Sequence, residues 1–411
     1  MCNKKKNNFI IFDQSLSSID GHSYIYIKNI FLESKKRFHS VKLFTNNNFL
    51  FLKKNSLHKY IDGSTNFIPI TFLKNTFFNF FPKLKKNNKK KRNLRGIFNK
   101  FISFDYFLNF LLLIKRLNKN ENNYIFIQYY DEGIFWLLKL CKFFNINIQH
   151  LNFLIIIRYE LNYFNVNNFK SNFLKLINSI YFTKRLKFFT DNLNLSKRNN
   201  NILKKNIFFT LPLVIKDKKV LKKRKRKKNF LISSLGPMRL DKGAEFISNI
   251  LEKYDLNKNN ITINLQVNKD HPFSEKYFSK IKDCNKSNIK FLKGPISEKD
   301  FYFQISNSDA LFCPYEMEKY KLSTSNIFLE SMFLNTPTIF TRGTWASNFI
   351  DAYKKKNIFL GYSLNKSLND FHNSINFIKK NKKKIFKDLK KFKREWKTQN
   401  NYNTYFKILM R

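Results

Sequence analysis

A chain of 411 residues is too long for one ordinary hydrophobic core, so its length predicts two domains. Hydrophobic residues make up 43% of it and aromatic residues 17%, which excludes an intrinsically disordered chain. The formal net charge of +50 makes nucleic acid and anionic lipid the polyanions to weigh as partners, although heavy use of Lys, Asn, Ile and Phe is also what A/T-rich codons produce.

In chain order, Met1–Asn8 is basic, and the apolar run after it stops at Asp13, too short for a signal peptide or a membrane span. Phe9–Phe12 reads as a first strand, followed by a loop through Gly21, a helix over His22–Lys36 and a second strand at Val41–Thr45. The Lys-, Arg- and Asn-rich stretch Lys83–Arg95 reads as an exposed loop or insertion. Phe101–Ile114 is strongly apolar but carries Asp105 and Asn109, and reads as a buried or interfacial helix. Further strands are expected at Tyr124–Ile127, Leu154–Ile157, Phe188–Thr190 and Ile207–Leu211.

Lys218–Lys228 holds nine Lys or Arg in eleven residues between two strand signals, which marks residues 216–229 as a basic linker and 1–215 as an N-terminal domain. After it, strands at Phe230–Ser233, Ile261–Gln266, Ile289–Leu292, Ala310–Cys313 and Thr338–Phe340 alternate with helical patterns at Ala244–Glu252, Pro272–Lys282, Glu298–Ser306 and Ser325–Leu334. This alternation, in both halves, is the signature of a doubly wound parallel α/β sheet, and it bounds a second domain at 230–365. The basic stretch 366–411 reads as helical, with Trp396 and Phe406 as anchors, packing back toward the N-terminal domain. Its Lys-rich face reads as a solvated surface.

Ligands of open parallel sheets bind beyond the carboxyl ends of the strands. Three loops of the second domain stand out there. Gly236 opens a turn that presents Arg239 and Lys242 together, a planar fork and a point charge for phosphate oxygens. Cys313-Pro314-Tyr315-Glu316, with Tyr320, leads into Ser323-Thr324-Ser325 at a helix start, where exposed N–H groups favour an anion. Glu330 lies in that helix, where its carboxylate would accept hydrogen bonds from ribose hydroxyls. Thr336-Pro337 precedes the last predicted strand, and Arg342-Gly343-Thr344-Trp345 follows it.

In that order, Arg239, Lys242 and Gly243, then Gly294-Pro295-Ile296-Ser297, Ser308-Asp309-Ala310, Pro314-Tyr315, Ser323–Ser325, Glu330 and Thr336-Pro337 resemble the retaining, nucleotide-sugar-dependent glycosyltransferases of group 1. The resemblance covers about Phe230–Phe349. It implies the GT-B fold, two Rossmann-like domains facing across a cleft. It also implies that Arg239 and Lys242 bind the donor diphosphate, that Ser323, Thr324 and Ser325 approach it from the helix start, and that Glu330 binds the ribose. In the N-terminal half, Asp13, Gly21 and Arg158 are acceptor-side candidates, and His22 and Asp131 catalytic ones.

The family often carries two glutamates spaced as Leu322 and Glu330 are, and Leu322 is not acidic. Glu316 and Glu318, upstream, are candidates to replace the missing carboxylate, while a subset of the family has a Ser/Thr-rich stretch at this point. No cofactor is expected beyond the nucleotide-diphosphate sugar as co-substrate, and no metal is required. The implied partners are that donor, a glycan or lipid-linked acceptor and an anionic membrane surface. The four scattered cysteines fit a reducing cytosol, with the chain soluble or peripheral to the inner face of the membrane. The rival reading is a basic nucleic-acid- or membrane-binding scaffold without activity.

Overall fold

The computed structural model describes residues 7–13, 22–46, 61–65, 107–128, 132–161, 169–179, 185–215, 229–236, 238–267, 287–294 and 296–411. The chain divides into two compact units, Met1–Leu211 together with Ile408–Arg411, and Pro212–Lys407.

The first unit is built on seven strands, β1 (Asn7–Asp13), β2 (Ser40–Asn46), β3 (Ile61–Thr65), β4 (Asn122–Ile127), β5 (Leu151–Ile156), β6 (Leu186–Thr190) and β7 (Phe208–Thr210). Their spatial order is β3-β2-β1-β4-β5-β6-β7, every pair parallel. β1 is buried at every position after Asn7. A strand covered on both faces needs such an unbroken apolar run, Phe9-Ile10-Ile11-Phe12, and cannot alternate. The helices are α1 (His22–Ser34), α2 (107–115), α3 (Glu132–Phe143), α4 (Phe169–Ile177) and α5 (Leu193–Leu203). Rings knit them to the sheet: Phe110 of α2 meets Phe12 and Phe153 at centroid distances of 5.9 and 5.7 Å, and Phe173 of α4 meets Phe188 at 5.2 Å.

The second unit has six strands, β8 (Phe230–Ser234), β9 (Ile261–Val267), β10 (Ile289–Lys293), β11 (Ala310–Cys313), β12 (Thr338–Thr341) and β13 (Gly361–Leu364). The order is β10-β9-β8-β11-β12-β13, again all parallel. Its helices are α6 (Ala244–Lys253), α7 (Glu298–Asn307), the single turn α8 (Met317–Tyr320), α9 (Asn326–Phe333), α10 (Trp345–Lys354), α11 (Leu368–Lys380), α12 (Lys382–Gln399) and α13 (Tyr402–Leu409). Leu389 and Phe392 of α12 join the core of this unit, and Trp396 Nε1 donates to the Leu213 carbonyl at 2.9 Å. The stretch after Ser367 is therefore largely part of the second unit, while Ile408–Arg411 belong to the first.

Both sheets are doubly wound, as the alternating pattern predicts, each with one strand more than expected. β3 has the sequence Ile-Asp-Gly-Ser-Thr, which carries no apolar run. β13 reads Gly-Tyr-Ser-Leu, and its glycine is there for close packing. A Cβ on Gly361 would sit 2.1 Å from the Thr338 carbonyl oxygen of β12. Sequence patterning also missed α3, α4, α5 and α10. The basic runs Lys83–Arg95 and Lys218–Lys228 and the expected helix Pro272–Lys282 lie outside the described residues.

Candidate functional site

In the second sheet the winding reverses between β8 and β11, and the crevice at such a switch point is where open α/β sheets take ligands. The loops after these two strands carry the residues the sequence singles out. After β8, Gly236 adopts φ +100°, a left-handed conformation that side chains disfavour, and a Cβ there would lie 2.7 Å from Lys242 Nζ. The ammonium thus rests against the loop backbone. The Gly236 N–H donates to Gln266 Oε1 at 2.7 Å, and Gln266 Nε2 donates to the Gly294 carbonyl at 3.2 Å. One glutamine at the end of β9 ties together the loops following β8 and β10.

Arg239 precedes a 3-10 turn, Leu240–Lys242, closed by Gly243 at φ +82°. A Cβ on Gly243 would fall 2.0 Å from the Pro314 carbonyl oxygen, so only glycine lets this loop press against the segment after β11. The Glu316 N–H donates to the Asp241 carbonyl at 2.9 Å across the same seam. Arg239 Nη2 donates to Asp241 Oδ2 at 3.0 Å and to Tyr320 Oη at 3.2 Å, and Tyr320 Oη donates to Asp241 Oδ2 at 3.0 Å. Burial, then Asp241, pushes the Tyr320 phenol up to about 12, so it stays a donor. The Tyr315 and Tyr320 rings lie 4.6 Å apart, and Lys242 Nζ sits 5.7 Å from the Tyr315 centroid. Burial, then the neighbouring Arg239 charge, holds the Lys242 ammonium below its ordinary range. Arg239 Nε is buried with no hydrogen-bond partner among the described residues.

Ser325 caps α9, its hydroxyl accepting from the Phe328 N–H at 3.3 Å, while Ser323 and Thr324 precede it on the half-exposed approach. Glu330 is buried within α9, and Tyr302 of α7 donates to its Oε1 at 3.2 Å. Burial, then Glu330 and Glu298, push the Tyr302 phenol up, which keeps it a donor to the carboxylate. Glu316 pairs with Lys366 and Glu318 with Lys321, while the position spaced to match the family's first glutamate remains Leu322. Three other elements of the motif have structural duties. Ser308 Oγ donates to Ser233 Oγ at 2.6 Å, Asp309 Oδ2 accepts from the Leu231 N–H at 3.0 Å, and Thr336 Oγ1 donates to the Ile305 carbonyl at 2.8 Å. Ser297 caps α7.

In the first sheet the switch point lies between β1 and β4. Asp13 ends β1 there, and its buried carboxylate accepts a hydrogen bond from Gln128, the residue after β4. Thr45 Oγ1 donates to the Asp13 carbonyl at 2.8 Å. Arg158, after β5, faces Asp191 Oδ2 at 3.6 Å, with its guanidinium 5.0 Å from the Tyr26 ring centroid. His22 is the first residue of α1, and its side chain lies outside the described residues, as do Gly21 and Asp131. Among the described residues no three His, Cys, Asp or Glu side chains gather where they would hold a metal ion. No described helix is long and apolar enough to cross a membrane.

Residue patterns alone did not single out Gln266, Asp241, Tyr302 or Gln128. The two glutamines each follow an apolar strand core at its carboxyl end, and that position was the available signal.

No family model and no curated protein sequence matches the chain. Solved structures do match it over nearly its whole length. A glycosyltransferase from Rickettsia africae ESF-5 aligns with a TM-score of 0.61 at 14% identity, covering 97% of this chain and 94% of the other. WaaG, a glycosyltransferase involved in lipopolysaccharide biosynthesis, aligns with a TM-score of 0.57 at 11% identity, covering 98% of each chain. An E. coli trehalose-6-phosphate protein bound with UDP-2-fluoro glucose aligns with a TM-score of 0.57 at 12% identity, covering 95% and 98%. The chain shares with these proteins the α/β fold of two doubly wound parallel sheets, the fold called GT-B.

Proposed function

We propose that this chain is a glycosyltransferase of group 1, moving a hexosyl unit from a nucleotide-diphosphate sugar to a hydroxyl of a glycan or lipid-linked acceptor, with retention at the anomeric carbon. The observation that carries the proposal is the convergence of Arg239 and Lys242 with the segment after β11 at the switch point of the second sheet. Sequence resemblance and fold point to the same chemistry, and the E. coli protein of that fold holds a sugar nucleotide.

In this reading the diphosphate is both anchor and leaving group. Arg239, already oriented by Asp241 and Tyr320, meets phosphate oxygens with its fork, its buried Nε adding a donor. The Lys242 ammonium adds a point charge that has shed part of its water and gains more from an anion than an exposed lysine would. The N–H groups at the start of α9 complete an anion site. These groups face the charge that develops as the glycosidic bond breaks, the arrangement that supplies much of an enzyme's rate. Glu330, steadied by Tyr302, is the proposed ribose ligand. In this reading the reaction requires no metal, because Arg239, Lys242 and the N–H groups at the start of α9 take over the stabilisation of the departing diphosphate. Asp13, Gly21 and Arg158 are proposed to serve the acceptor, with His22 and Asp131 as catalytic residues.

Calorimetric titration with UDP and with GDP tests the donor site. Wild-type protein is expected to bind one of the two, and the Arg239→Ala/Lys242→Ala variant to bind at least about a hundredfold more weakly, as loss of two charge-assisted contacts implies. Binding that survives intact in a folded double variant would place the nucleotide elsewhere and defeat the proposal.

A further inference from the structure

Compositional drift should spread lysine over every helix of a unit, and the second unit does not show that. The helices α6, α7, α9, α10 and α11 each carry a net charge between −1 and +1. α12 carries eight Lys and one Arg against two acids, a net +7 in 18 residues. One helix has taken up the positive charge its neighbours lack.

The charge on α12 is also ordered. Its inner face is Ile385, Asp388, Leu389 and Phe392, all buried, with Asp388 accepting from the Phe359 N–H at 2.8 Å and pairing with Lys384 at 3.1 Å. On the opposite face Lys383, Lys387, Lys390 and Arg394 follow at helical spacings of four, three and four, all exposed. None of these four makes an ion pair among the described residues. Like charges one turn apart repel and weaken a helix, so the stripe is held against its own electrostatics. Phe386 stands beside it, 40% exposed, with Lys390 Nζ 4.4 Å from its ring centroid.

We infer that this face of α12 docks the protein on an anionic bilayer. A straight basic stripe on a helix anchored by its apolar side can lie flat on such a surface, where each Lys or Arg adds attraction to acidic headgroups. Phe386 is placed to enter the headgroup boundary. Lysine is suited to headgroup phosphates as a point charge.

Co-sedimentation of the full chain with phosphatidylcholine vesicles, with and without phosphatidylglycerol, tests the inference at physiological salt. The protein is expected to sediment with the anionic vesicles only. The Lys383→Gln/Lys387→Gln/Lys390→Gln/Arg394→Gln variant should partition at least about tenfold less, and Phe386→Ser should weaken binding while leaving its salt dependence unchanged. A control variant, Lys253→Gln/Lys258→Gln/Lys290→Gln/Lys299→Gln, removes the same charge from exposed sites elsewhere in the unit and should bind as wild type. Glutamine is as good a helix former as lysine, and a thermal melt checks that each variant stays folded. If the quadruple variant does not fold, Lys383→Gln/Arg394→Gln takes its place, with a smaller loss expected. Equal losses in the α12 and control variants would reduce the effect to diffuse charge and overturn the inference. So would an absence of sedimentation, or binding of duplex DNA through this stripe while anionic vesicles are ignored.

Discussion

An ammonium resting on the backbone of Gly236 has given up part of its hydration before any ligand arrives. For Lys242, burial and the nearby Arg239 charge both disfavour the protonated form, and its pKa lies below the ordinary lysine range. On the proposed function, a bound diphosphate would add opposite charge beyond that of Asp241 and raise that pKa again. Linkage then fixes the sign: binding takes up protons at alkaline pH, and affinity falls as pH rises through the lowered Lys242 value. Titrations at about pH 7 and about pH 9.5, in buffers of differing ionisation enthalpy, read both effects. Lys242→Arg keeps its charge throughout that range and should bind with a flat pH profile. A wild-type profile as flat as the variant's would remove Lys242 from the nucleotide. Arg239, Lys242, Ser325 and Glu330 stood out in the sequence because their order along the chain resembles a family motif. Tyr302, which donates to Glu330, and Gln266, which holds the Gly236 and Gly294 loops together, did not, since nothing in one sequence says which loop a polar side chain will reach across.

Elements were legible where an apolar run met a length limit. Ala310–Cys313 is a strand in both the reading and the structure, bounded by Ser308-Asp309 and Pro314. β3 and β13 escaped because a strand end at a sheet edge needs few apolar residues, and in β13 a glycine sits where a packed side chain would be expected. α12 was legible as a helix and its Lys-rich face as exposed; that its charge stands out was not, because charge density becomes informative only beside the neutral helices around it. The helix is held to α10 by rings: Phe392 lies 5.9 Å from Phe349 and 5.3 Å from Tyr353, and is fully buried. Phe392→Ala is therefore expected to cost about 3–5 kcal/mol by equilibrium denaturation. A cost under about 1 kcal/mol would mean that α12 is not anchored through this ring.

At the scale of the whole molecule, two units of comparable size come from one chain that passes between them twice, at Leu211–Pro212 and at Lys407–Ile408. The second passage brings Leu409, which is fully buried, and the Met410 carbonyl, which accepts from Lys187 Nζ at 3.4 Å. Truncation after Lys407 removes both. It should lower the stability of the first unit by about 2–3 kcal/mol, roughly the value of one buried leucine side chain. Scanning calorimetry with and without nucleotide separates the units, because saturating ligand raises only the transition of the unit that binds it. A truncated chain whose nucleotide-insensitive transition stays in place would show that the returning segment contributes nothing.

That double passage also bears on the order of events during synthesis. Domains generally fold as they leave the ribosome, the N-terminal one first, at about 5–20 residues per second. Here the residues that complete the first unit emerge only after the whole of the second has been made. The nascent first unit must wait about 10–40 s without its last four residues. During that wait a chaperone, rather than the chain itself, would be the partner for its exposed apolar surface.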